Sequence, residues 1–265
     1  MILAASPLVT TVLAVSAAVG YAAMALAQRK LTAQGSRLGL TLAWLLHGAV
    51  LASQLWASPP SFGFGPALSV TAWLVLMVYA IESHIYPQLK ANALLLVLGM
   101  VTVLLAWAFP GAPYASMPSP WLPLHWALGI AAYGLIAAAV VHAWWMQRTE
   151  RAIRQASTPM EPSIPLLAIE RLTFRFVLAG FVLLTATLVA GVWFSELLYG
   201  KALTWDHKRV FTLLSWAVFA VLLLGRWRLG WRGRAAVRVL YLGSGLLLLA
   251  YVGSRFVLEV LLHRA

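Results

Sequence analysis

Cysteine is absent from this chain of 265 residues. That excludes disulfides, iron–sulfur clusters, thiolate metal sites, thioether attachment of a heme to this chain, and any thiol redox step. A metal-bearing cofactor would have to turn to histidine, of which there are six. Charge is nearly as scarce, at 10% of residues, and only seven are acidic. A soluble domain carries about a quarter of its residues as charges to form a wetted shell, so a soluble fold is excluded. Period-two alternation of apolar and polar residues is also missing, which argues against a membrane barrel. No internal repeat, low-complexity tract or second, soluble domain is visible.

What is present is hydrocarbon. Hydrophobic residues make up 62% of the chain, and the mean hydropathy is +0.87. Apolar stretches of about 20 residues recur, each long enough to cross ~30 Å of bilayer at ~1.5 Å per residue. In that medium helices are left to satisfy the backbone. The expected fold is therefore all-α: a polytopic integral membrane protein of about eight transmembrane helices. The spans are read at about 3–27, 38–56, 67–86, 91–109, 125–145, 174–194, 209–225 and 237–259. They form a single membrane domain, 1–265, with the first four helices in 1–110 and the rest in 120–265. An outer loop at 195–208 joins the sixth and seventh spans.

A net charge of +12 would suggest nucleic acid in a soluble protein, but its placement gives a different cause. The connections after spans one, three, five and seven hold fourteen of the nineteen basic residues, from Arg29 to Arg238. Only Lys201, Lys208, Arg209, Arg255 and Arg264 fall on the other side. The positive-inside rule puts the fourteen in the cytoplasm and both termini outside. Nucleic acid is not an expected partner; membrane lipid is, through the arginines of the inward loop 146–173. Ala25-Leu26-Ala27 resembles a signal-peptidase site, but no basic side chain precedes it, while Arg29 and Lys30 follow. The first span is read as a retained helix.

Topology assigns each histidine a depth. His125 opens span five at the outer surface, His207 lies in the outer loop, and His263 lies at the outer end of span eight. His47 falls near mid-membrane, while His84 and His142 fall near the inner face. His125 and His142 are roughly 25 Å apart along one helix and do not share a small ligand. His125, His207 and His263 share one level on three elements. Two opposed imidazoles make an axial pair for heme, nearby cations pair with its propionates, and tryptophan faces cover its ring. The outer loop 195–208 and its flanks supply Lys201, Lys208 and Arg209 with Trp193 and Trp205. Arg255, Glu259 and His263 follow at i, i+4, which places Glu259 to orient His263. A plain alternative stands beside this: interfacial histidines and tryptophans also populate the headgroup belt without any cofactor. His47, an ionisable residue at mid-membrane, is either functional or a neutral imidazole hydrogen-bonded to a neighbouring helix.

Several stretches then become familiar. Glu170-Arg171-Leu172-Thr173-Phe174-Arg175, Gly180-Phe181 through Gly191-Val192-Trp193, Thr204-Trp205-Asp206 and Leu214-Ser215-Trp216 resemble the CcsA/ResC-type cytochrome c assembly family. These are heme-handling membrane proteins with a tryptophan-rich outer loop, and the size and layout resemble the short YpjD/HemX-like branch. Leu124-His125-Trp126 is similar to that family's first external heme-ligating segment, and Leu261-Leu262-His263 to the second. The resemblance implies His125 and His263 as axial ligands of a non-covalent heme b. It implies Trp193, Trp205 and Asp206 as parts of the presenting loop. His207, Lys208 and Arg255 join them as candidate cofactor-binding residues through their position and charge. After Trp-Asp this chain has His207-Lys208-Arg209 where the family has Pro-Lys-Glu. It has Leu224 where the family has a transmembrane histidine, so an inner heme site is not expected there.

The function expected is non-enzymatic heme handling for cytochrome c assembly at the outer face of a bacterial inner membrane. Its partners would be heme, an apocytochrome c and another assembly subunit. Two alternatives remain open: a HemX-like membrane regulator of tetrapyrrole synthesis acting through the loop 146–173, and a small-solute transporter using His47 and Glu82.

Overall fold

The structure is a computed structural model, and it describes residues 7–27, 30–55, 57, 61–85, 93–113, 121–155, 165–194 and 205–262. Eight helical rods account for nearly all of them. They are α1 (Pro7–Ala27), α2 (Ala33–Leu55), α3 (Phe64–Ile85), α4 (Ala93–Ala108), α5 (Leu122–Arg154), α6 (Leu166–Trp193), α7 (His207–Leu229) and α8 (Gly233–Leu261). Seven are long and apolar enough to cross a membrane, and α4 is a shorter apolar helix. The all-α polytopic expectation holds. Two helices run on past their spans into the inward loop, α5 to Arg154 and α6 from Leu166, and the α5 extension is the polar one its arginines signal: Arg148 lies over the Trp144 ring and Arg154 bonds Glu150 at 2.6 Å. A charged helix of this kind ends in water rather than lipid.

The chain divides into two compact units. The first comprises residues 1–116 together with the end of the chain, 255–265. Within it α1 packs on α2 and α4, and α3 packs on α2 and α4. A two-residue strand, β1 (Ser61–Phe62), pairs antiparallel with β2 (Ala112–Pro113). The core around Ala14, Ala17, Ala18, Val50 and Val103 is built of small and β-branched side chains. Such residues let helices approach closely where no hydrophobic drive separates protein from lipid.

Polar groups inside this unit are paired across helices. Trp44 and Trp73 stack with rings 4.4 Å apart and 9° from parallel. Each indole Nε1 donates to the other's backbone carbonyl at 3.0 Å, which clasps α2 to α3. Tyr21, His47 and Ser69 are fully buried and form a chain through three helices. The Tyr21 hydroxyl is 3.1 Å from His47 Nδ1, and His47 Nε2 is 2.6 Å from Ser69 Oγ. His47 is thus the hydrogen-bonded imidazole, with both ring nitrogens engaged by hydroxyls.

The second unit, residues 117–254, is built from α5, α6, α7 and most of α8. α5 and α6 run together along much of their length, and α7 packs on α6 and α8. An alanine-rich face of α5 (Ala132, Ala139, Ala143) meets Val177 and Leu184 of α6, Phe219 and Leu222 of α7, and Leu240 and Leu247 of α8. Ser215 Oγ donates to the Gly243 carbonyl at 2.8 Å, and Trp216 Nε1 donates to Thr185 Oγ1 at 2.9 Å. The opposite faces leave Leu178, Val182, Val221 and Leu242 exposed, as lipid-facing surfaces should be.

At the end where α6 begins and α7 closes, one ion pair ties the helices. Arg226 Nη1 lies 2.7 Å from Glu170 Oε1, and its guanidinium sits 3.6 Å over the Phe174 ring. Gly230 (φ 64°) adopts the left-handed conformation that ends α7, and Trp231 N donates back to Gly225 O at 3.2 Å. The familiar run from Glu170 to Arg175 therefore serves as a latch on the α7–α8 turn.

Two outcomes follow for stability in detergent. Ser69→Ala removes one hydroxyl from the buried chain and leaves His47 Nε2 without its partner, at a cost of about 1–3 kcal/mol. A thermal-unfolding midpoint unchanged from wild type would show that the network holds nothing. A double-mutant cycle of Glu170→Ala and Arg226→Ala should give a coupling energy of about 1 kcal/mol, since the pair is only partly buried. Strict additivity would dismiss the latch.

Candidate functional site

The start of α5, the end of α6 and the start of α7 lie at the same end of the second unit, because the three helices alternate in direction. This end collects six of the eight candidate site residues: His125, Trp193, Trp205, Asp206, His207 and Lys208. His125 sits in the first turn of α5, where Pro123 is tolerated because early helical amides have no acceptor of their own. Its ring edge faces α6 at Gly191: a Cβ there would come 3.4 Å from His125 Cε1. The imidazole is half-buried against α6, two residues before Trp193.

Trp193 is the last residue of α6 and Trp205 lies just before α7, and both are strongly exposed, at 77% and 73%. Two large indoles displayed at the rim of one small unit offer flat apolar faces with a polar edge, the form suited to an interface or to a planar ligand. Residues 195–204 between them, including Lys201, lie outside the described residues.

Asp206 has a clear local task. It is the N-cap of α7, with extended backbone (φ −110°, ψ 162°), and its Oδ1 accepts the Arg209 amide at 2.9 Å. Satisfying an orphan amide and placing a negative charge at the positive end of the helix both stabilise α7. The sequence pattern Trp-Asp is therefore at least a helix-start signal. His207 is the first residue of α7 and is exposed. Lys208 extends its Nζ over the Tyr251 ring of α8, 5.7 Å from the centroid.

Arg255 and His263 belong to the first unit by sequence position. His263 lies outside the described residues. Arg255 is mostly buried, and its Nη1 stands 3.7 Å from Glu259 Oε1. The helical ladder departs from α geometry here: π turns span Leu249–Gly253 and Val257–Leu261, on either side of a short α turn. The α-helical i, i+4 period is therefore broken around Glu259. One of its oxygens meets Phe64 N, at 3.4 Å. The sequence reading missed that contact because it joins residues 195 positions apart.

The remaining histidines divide the same way. His142 is buried in α5, its Nδ1 2.7 Å from the Ala138 carbonyl and its ring tilted against Phe176. The His84 side chain lies outside the described residues. Among the described residues no group of three or more His, Asp or Glu gathers in a way that would hold a bare metal ion. The donor set at the α5–α6–α7 end is one half-buried imidazole, displayed aromatic faces and a nearby ammonium. That chemistry fits a planar, anionic, iron-bearing ring better than a free cation.

The family model described as cytochrome C assembly protein matches residues 42–262, and the chain belongs to that family. It is 31% identical over 144 residues to the inner membrane protein YpjD of Escherichia coli strain K12, covering 54% of each chain. It is 34% identical over 147 residues to an uncharacterized 28.8 kDa protein of Azospirillum brasilense, covering 55% of this chain and 54% of that one. It is 33% identical over 116 residues to the cytochrome c biogenesis protein CcsA of Synechococcus sp. strain JA-3-3Ab, covering 40% of this chain and 33% of that one. The chain thus matches about half the length, or less, of these relatives. No solved structure matches it significantly.

The cap and any contact of Asp206 with a cofactor can be separated. Asp206→Ala should lower stability by about 1 kcal/mol, while Asp206→Asn, which keeps an acceptor at the cap, should recover most of it. Thermal unfolding of the two variants checks this. An Asn variant as unstable as Ala would mean that the charge, not the cap, is what α7 needs.

Proposed function

We propose that this protein is a non-enzymatic heme-handling component of cytochrome c assembly, which holds non-covalent heme b at the outer face of a bacterial inner membrane. The observation that carries the reading is the half-buried His125 imidazole against Gly191, at the same end of its unit as exposed Trp193 and Trp205. Family membership and the relatives named for cytochrome c biogenesis and for the inner membrane support it. The charge bias supports the orientation, with the basic connections inside and both termini outside.

When bound, heme would supply an iron that takes imidazole nitrogens as ligands and two propionates that pair with cations. On this side His125 offers a ring nitrogen, and His263 is the residue proposed for the second axial position. Trp193 and Trp205 cover apolar ring surface and keep water from it. Lys208, with His207 beside it, supplies positive charge toward carboxylates. Asp206 acts at one remove, by fixing where α7 begins and hence where Trp205 and His207 stand. With no cysteine, the chain has no thiol to bond a vinyl group. Covalent attachment therefore belongs to the thiols of an apocytochrome c, with a second assembly subunit.

The test is the absorption spectrum of detergent-purified protein, oxidised and reduced, beside the His125→Ala/His263→Ala double variant. A Soret band with sharp low-spin α and β bands is expected in the wild type, and its loss in the double variant. Full heme retention by the double variant would refute the assignment of these two ligands.

A further inference from the structure

The end of the chain carries a buried carboxylate whose surroundings suit no solvent-facing role. Glu259 lies in the π turn Val257–Leu261, and its side chain is only 9% exposed. One oxygen, Oε2, is 3.4 Å from Phe64 N, the first amide of α3. The other, Oε1, is buried and is 3.7 Å from Arg255 Nη1. The aromatic ring of Phe64 stands edge-on to Phe256, 5.4 Å between centroids, one turn of chain before Glu259.

The receiving surface is shaped for this carboxylate. Gly63 joins β1 to α3, and a Cβ on it would lie 2.6 Å from Glu259 Oε2 and 2.7 Å from Oε1. The same Cβ would lie 2.6 Å from the Cα of Gly111, which precedes β2 and adopts φ 83°. Two glycines back to back therefore leave the space that the carboxylate fills. The start of α3 also presents the Phe64 amide, which as a first-turn N–H has no acceptor within its own helix, and the positive end of the helix dipole, to which an anion is drawn. The π turns matter because each inserts residues into the helical ladder and turns the face that follows. They bring both Phe256 and Glu259 onto Phe64.

We propose that Glu259 is a positioning residue: its carboxylate, paired with Arg255 and seated over Gly63 on the start of α3, anchors the turn Val257–Leu261 that closes α8. His263 follows four residues later, so this anchor sets the point from which the second proposed ligand departs. That consequence rests on the heme reading above, whereas the anchoring itself does not. The anchor also gives Arg255 a standing counter-charge, so Arg255 meets a ligand carboxylate only in competition with Glu259.

The absence of native cysteine allows a single spin label at Leu262→Cys in the full chain, in detergent, with Glu259 intact, as Glu259→Gln, or as Glu259→Ala. With Glu259 intact the label should give an immobilised paramagnetic-resonance line shape. The Ala variant should convert most of that signal to a mobile component. The Gln variant keeps the size and an acceptor for Phe64 N but loses the ion pair, so it should fall between the two. In heme-loaded protein without the label, Glu259→Ala should shift the spectrum from low-spin toward high-spin while leaving heme content largely unchanged. Line shapes identical across all three would overturn the anchor, with or without heme. If Glu259→Ala fails to fold, the Gln variant alone decides, and a wild-type line shape in it overturns the proposal. A heme-free wild type would sink the heme reading while the line shapes still decide the anchor.

Discussion

Inside hydrocarbon no water completes an unfinished hydrogen bond, and each polar atom of this chain has to find its partner in the protein. The backbone answers with helices. The side chains answer in pairs and short chains: Tyr21 with His47 and Ser69, Trp44 with Trp73, Ser215 with the Gly243 carbonyl, Trp216 with Thr185. Each of these ties one helix to another, so the requirement that makes helices also sets which helices touch. Apolar contact does less selecting here, since lipid tails are as apolar as leucine. What packs tightly does so through small residues, as along the alanine face of α5.

The same requirement separates residues that hold the fold from residues left over for function. His47 is mid-chain in α2 with both ring nitrogens occupied, and nothing about it points to solvent or to a solute path. Glu170 and Arg226 neutralise each other beside the α7–α8 turn. Asp206 is used by α7 as its cap. At the α5–α6–α7 end the large polar-edged side chains face the other way: Trp193 and Trp205 are displayed outward. The half-buried His125 imidazole lies at that same end of the unit.

Much of this was legible from residue types and spacing. Hydropathy placed the helices because a span has to be about 20 apolar residues long, and even the polar tail of α5 was signalled by Arg148, Arg151 and Arg154. Depth along the spans put His125 and the tryptophans at an end rather than in the middle. The partners were not legible. Nothing in the chain says that Tyr21 and Ser69 flank His47, because those contacts join helices whose rotation depends on packing. The task of Asp206 was written locally, as Asp before a helix, but was masked by the likeness of Trp-Asp to a family motif. The setting of Glu259 was not legible for a further reason: i, i+4 spacing assumes an α-helix, and the π turns at 249–253 and 257–261 break that period. Sequence offered no cue for them.

The proposed function asks for a heme ligated by two imidazoles, those of His125 and His263. Near-infrared magnetic circular dichroism of the oxidised, purified protein reads both axial ligands at once, independently of any substitution. The expected result is the charge-transfer band of a low-spin, bis-imidazole ferric heme, at about one heme per chain. A protein that stays heme-free after expression with excess heme, or a high-spin signal from a single imidazole, would contradict it.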